Sequence, residues 1–123
     1  MTTRPKYLNL VQIRLPLPAF VSIMHRVSGA FLFLALPVLL FWWQASLASA
    51  DTYAALRSCA SSPIAKLCLI ALLWAYLHHF CAGIRHLAAD IDLGTELPSA
   101  RFASWAVLAV SIGLTAVIGA RLW

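Results

Sequence analysis

Three long apolar stretches separated by short polar ones set the plan of this chain. From Val27 to Ala50 no residue is charged. At a rise of about 1.5 Å per residue, a helix of that length crosses roughly 30 Å of hydrocarbon. The first span is placed at 19–50. Pro37 falls in its middle, frees the Phe33 carbonyl and predicts a kink. Asp51 to Lys66 is polar and predicts a connection. The second span is placed at 64–89. Its charge-free part, Leu67 to Ile84, just suffices to cross, and the helix is expected to continue through Arg85 and His86. Asp92, Gly94, Thr95, Glu96 and Pro98 predict a loop, with Ser99 as the N-cap of a third span at 101–122. Gly113 and Gly119 permit close helix contact there. Trp42, Trp43, Trp105 and Trp123 fall near span ends, where an aromatic belt is expected.

Composition agrees with this pattern. The 123 residues are 63% hydrophobic and 11% charged, against about 25% charged in a soluble domain. The expected fold class is an all-α membrane protein of three transmembrane helices, residues 19–123, preceded by a short cytosolic N-terminal segment, residues 1–18. That leader carries Arg4, Lys6 and Arg14, and Pro16 and Pro18 block a continuous helix into the first span. It does not read as a cleaved signal peptide, because the apolar run comes late and runs long.

The net charge of +5 would point to nucleic acid in a soluble protein. Here the cations cluster at span ends and read as topology, so no nucleic-acid partner is expected. Arg4, Lys6, Arg14, Arg26, Arg85 and Arg101 fall on one side, and Arg57, Lys66 and Arg121 on the other. The bias places the amino terminus in the cytoplasm and the carboxyl terminus outside. Cys59, Cys68 and Cys81 form no C-x-x-C pair, so neither a disulfide framework nor a zinc site is indicated.

Three of the four histidines, His78, His79 and His86, lie in the second span. Polar groups at that depth need partners and mark function. His79, Gly83 and His86 are spaced i, i+4 and i+7 and share one helical face, with His78 about 100° away. Gly83 leaves a flat patch beside His79 that suits a planar macrocycle. His86 lies roughly 10 Å along the axis, where Arg85 and His86 could pair with haem propionates and Asp90 could orient His86. The bland alternative is that His79 bonds a helix neighbour and Gly83 serves packing. Four histidines are too few for a membrane di-iron centre, and Cys81 points away from His79. A haem held here needs a second axial ligand. His25 is the only histidine elsewhere, and by residue count it sits at the mouth of the first span while His79 lies deeper. That mismatch assigns the trans ligand to another chain.

A second polar stripe opens the first span. Ser22, His25, Arg26 and Gly29 are spaced i, i+3, i+4 and i+7. Hydroxyl, imidazole and guanidinium near the interface could hydrogen-bond a quinone carbonyl or a propionate. The alternative is a plain topology anchor, with Arg26 snorkelling to headgroups. Polar residues crowd one face and form no path across, which argues against a transporter.

The two motifs, S-x-x-H-R-x-S-G at Ser22–Gly29 and H-x-x-x-G-I-R-H-x-x-x-D at His79–Asp90, resemble the cytochrome b subunit of succinate dehydrogenase, the larger membrane anchor of respiratory complex II. Arg4-Pro5 and the approach Leu15-Pro16-Leu17-Pro18-Ala19 are similar too. The resemblance implies one haem b shared with a smaller membrane anchor that supplies the trans histidine, an iron–sulfur subunit and a flavoprotein subunit as further partners, and ubiquinone as substrate. It implies His79 as axial haem ligand, Ser22 and Arg26 at the quinone site, and His25, Arg26, Gly83 and His86 around the haem edge. It also implies a bacterial inner membrane and no catalysis by this chain alone. Alternatives are an anchor of a fumarate reductase or menaquinone-linked relative, or a structural anchor without functional haem.

Overall fold

A computed structural model describes residues 14–123. Arg4, Pro5 and Lys6 lie outside the described residues. Four helices follow one another: α1 at Leu17–Ala48, α2 at Ala50–Ala60, α3 at Pro63–Asp90 and α4 at Leu97–Leu122. Three of them, α1, α3 and α4, are long and apolar enough to cross a membrane. The 32 residues of α1 and 28 of α3 extend roughly 48 and 42 Å, more than the hydrocarbon requires. Their surplus turns carry the polar residues that bring chemistry to the membrane face.

Local chemistry fixes the boundaries. Pro16 is the N-cap of α1 and Pro18 sits in its first turn, where a missing N–H leaves no bond unmade. The helix therefore starts at Leu17 and runs unbroken past Pro37. The stretch read as a polar connection after the first span contains α2. Ser49 adopts an extended conformation between α1 and α2, and its side chain accepts from Thr52 N while the Thr52 hydroxyl accepts from Ser49 N. This reciprocal capping box nucleates a helix whose residues are mostly exposed. Ser62 caps α3 by accepting from Ala65 N at 3.3 Å.

At the other end of α3 the chain turns through Asp92, whose φ is +60°. Leu93 N bonds the Ala88 carbonyl at 2.9 Å and Asp92 N bonds that of Ala89 at 3.0 Å, the paired closure of a Schellman motif. The third membrane helix begins earlier than its sequence pattern suggested. Glu96, not Ser99, is the N-cap, and Pro98 lies in the first turn rather than in a loop.

Helix α3 packs against both α1 and α4, which also touch each other. Small residues line the seam: Ala75 and Ala82 on α3, and Ser104, Ser111, Thr115 and Gly119 on α4 are buried. Small side chains let membrane helices approach closely. Gly119 does this work, with Ile70 Cγ1 only 3.4 Å from where its Cβ would stand. Gly113 has open space there and serves no close contact. Large apolar side chains such as Phe33, Leu34 and Phe102 face outward, as suits a molecule whose solvent is lipid.

Candidate functional site

The polar stripe of α1 meets the histidine face of α3. The His25 ring stacks on His79, with centroids 4.2 Å apart and planes 10° from parallel. The same ring also meets His86, at 4.9 Å and 45°. The three imidazoles form a column with His25 in the middle, and all three residues are half-buried.

Two glycines face the column, and one of them makes it possible. A Cβ on Gly29 would stand 2.7 Å from His79 Cε1, closer than unbonded carbons approach. Only glycine on α1 lets the His79 ring lie where it does. A Cβ on Gly83 would stand 3.6 Å from His25 Nε2. The flat patch expected over Gly83 thus exists, but His25 fills it, where the sequence pattern had suggested an open platform for a macrocycle. A methyl at Gly83 would meet that ring at an ordinary van der Waals distance.

Hydrogen bonding fixes the His79 tautomer. Its Nδ1 lies 3.0 Å from the His25 carbonyl oxygen, and a carbonyl only accepts, so Nδ1 carries the proton. The buried Ser28 hydroxyl donates to the same carbonyl at 2.9 Å and lies 3.3 Å from His79 Nδ1. The Nε2 lone pair is left free, and unlike both nitrogens of His78 it is not sealed off without a partner. A histidine whose Nδ1–H is held by a backbone carbonyl while Nε2 stays available is set up for ligation of a metal.

The depth mismatch read from residue count does not hold, since His25 and His79 lie level enough to stack. With α1 running from Leu17, His25 lies about 12 Å inside that helix, deep enough to meet His79. The stack still denies the two rings one metal axis. Trans ligands approach edge-on from opposite sides, whereas these rings lie face to face. Among the described residues, no group of three His, Cys, Asp or Glu side chains converges on a metal ion.

The remaining residues sit around this column. Ser22 is half-buried and Arg26 exposed on α1; Arg85 is half-buried on α3, and Asp90 is exposed at its end. His78, set apart by its helical angle, is buried in the three-helix core. Sequence reasoning gave Ser28 no role, although it follows His25 by three residues and so falls one turn on. Its signal was present in the S-x-x-H-R-x-S-G motif.

Three membrane-length helices, with three imidazoles packed together near one end, define a multi-pass helical membrane protein. Residues 2–118 match the succinate dehydrogenase/fumarate reductase transmembrane subunit family, and the chain belongs to it. It is similar to the succinate dehydrogenase cytochrome b556 subunit of Rickettsia felis, 34% identical over 115 residues that cover 94% of this chain and 90% of that one. The protein of the same name from Coxiella burnetii is 34% identical over 121 residues, 98% of this chain and 97% of its own. That from Paracoccus denitrificans is 33% identical over 111 residues, 90% and 85% respectively.

Proposed function

We propose that this chain is the cytochrome b anchor of a bacterial succinate dehydrogenase, holding one haem b together with a smaller anchor subunit. The observation that carries the reading is the Nδ1–H of His79 bonded to the His25 carbonyl at 3.0 Å, which leaves Nε2 as the atom that would hold the haem iron. His25 lies face to face with His79, so a second histidine to hold the haem would come from the partner anchor. Haem b, when bound, supplies a one-electron store.

The chain's own residues bind, orient and charge the surroundings. Ser28 and the His25 carbonyl hold the His79 ring in place. Gly83 seats the His25 ring. His25, Arg26 and His86 offer cationic or donor groups to propionates at the membrane face. Ser22 and Arg26 hydrogen-bond a ubiquinone carbonyl and stabilise the negative charge that grows on it. The iron–sulfur and flavoprotein subunits dock on that side, which is the cytoplasmic one, with the carboxyl terminus periplasmic. The names of the three relatives support succinate oxidation over fumarate reduction as the physiological direction.

The test is a reduced-minus-oxidised spectrum of the purified membrane complex. Wild type and His78→Gln show b-type absorbance, and His79→Ala loses it. Retention in His79→Ala with loss in His78→Gln moves the ligand by one residue, and absence from wild type expressed with ample haem removes the cytochrome reading. Ser22→Ala and Arg26→Leu lower quinone reduction by roughly tenfold to hundredfold, the worth of a hydrogen bond to a charged group. Succinate oxidation with an artificial acceptor stays intact in both, whereas an equal loss of both activities marks failed assembly.

A further inference from the structure

His78 has no part in the imidazole column, yet it is the largest fully buried side chain among the described residues. Both of its ring nitrogens are sealed from solvent and neither has a hydrogen-bond partner. Its ring stacks on Trp74, with centroids 5.3 Å apart, and the Val21 main chain of α1 lies beside it. Buried polar groups are rarely left unsatisfied, and an orphan usually marks an ordered water or ion. In lipid the pressure to satisfy it is greater, since no bulk water can reach it.

The antiparallel packing of α3 and α4 shows what lies opposite. Ile70 meets Gly119, and Ala82 shares a core cluster with Val107. Counting inward from either pair sets His78 level with Ser111. Ser111 is fully buried, and its hydroxyl proton is already committed to the Leu108 carbonyl at 3.2 Å. Its oxygen keeps lone pairs that accept but has no further proton to give. A neutral imidazole presents one N–H and one bare nitrogen. The bare nitrogen therefore finds no donor on α4, and a molecule that donates twice can join it to Ser111. Water does so, and buried polar groups left without a partner are where ordered water occurs.

The geometry points to a single buried water between α3 and α4, donating to a ring nitrogen of His78 and to the Ser111 hydroxyl oxygen. The site ties the two helices and pins the rotation of α3, so that His79, about 100° round the same helix, faces Gly29. It does not depend on haem and stands whether or not the cytochrome reading does.

A structure of the native assembly purified from its membrane, at a resolution where other buried waters are visible, tests it. Density within hydrogen-bond distance of both His78 and Ser111 is expected. A direct His78–Ser111 bond, or a seam empty of density, overturns it. A thermal-melting cycle gives a second reading. Ser111→Ala and His78→Phe each lower the melting temperature, the double variant melts no lower than the worse single one, and Ser111→Thr, which keeps the hydroxyl, melts near wild type. Additive losses, or a His78→Phe variant as stable as wild type, overturn the water tie.

Discussion

One methyl group tests the His79 seat. Gly29→Ala places a carbon 2.7 Å from His79 Cε1, inside any tolerable contact. The helix itself gains from alanine, by about 1 kcal/mol of intrinsic propensity, so the fold survives and the strain falls on the imidazole. The ring must swing away, breaking the Nδ1 bond to the His25 carbonyl. Loss of a ligand's orienting bond typically lowers metal affinity by roughly 10- to 100-fold, and that is the expected fall in haem affinity of the variant, read as haem per protein after titration. Wild-type haem content in Gly29→Ala would mean that the ring has another home. The sequence disclosed which residues share this face, because i, i+4, i+7 spacing is a property of the helix alone. It did not disclose that His25 reaches His79. A residue count gives depth along one helix only, and it is the packing of α1 against α3 that sets their relative level.

Among the elements, what was legible follows from what hydrophobic patterning measures. It measures burial in lipid or core, so the three long helices stood out and α2 did not. The residues of α2 are mostly exposed, and its helicity comes from alanines and the Ser49–Thr52 capping box, signals that carry no apolar stripe. The start of α4 was misplaced for a related reason. Pro98 reads as a breaker, yet in the first helical turn its missing N–H leaves nothing unbonded. The seam between α3 and α4 separates two glycines that the sequence treated alike. Gly119→Leu drives a side chain into Ile70 and costs about 1–3 kcal/mol as an overpacked contact. Gly113→Leu enters open space and changes stability by no more than about 0.5 kcal/mol. Thermal midpoints of the solubilised complex check both, and equal shifts would show that the seam is not where α3 and α4 are held.

At the scale of the whole molecule, antiparallel helices sort the cations by end. Arg14 and Arg26 near the start of α1, Arg85 near the end of α3 and Arg101 near the start of α4 share one membrane face. Arg57 on α2, Lys66 near the start of α3 and Arg121 near the end of α4 share the other. Contact joins two members of the second set of segments, since Lys66 Nζ donates to the Trp123 carbonyl at 2.9 Å and lies 5.5 Å from its ring centroid. The imidazole column lies toward the first face, with its His86 end outermost. A cytoplasmic position for that face has a direct consequence for the cysteines. Cys59 is exposed on α2, at the opposite face, in water or headgroups. Cys68 and Cys81 lie within the apolar length of α3, where a membrane-impermeant reagent carried in water does not reach. A membrane-impermeant maleimide added to cells with a permeabilised outer membrane therefore labels Cys59 alone. In a Cys59→Ser background, Asp92→Cys in the α3–α4 turn stays unlabelled until the inner membrane is opened. Labelling of Asp92→Cys in sealed cells, with Cys59 protected, would turn the molecule over and move the proposed quinone site to the periplasmic side, away from any cytoplasmic donor of electrons.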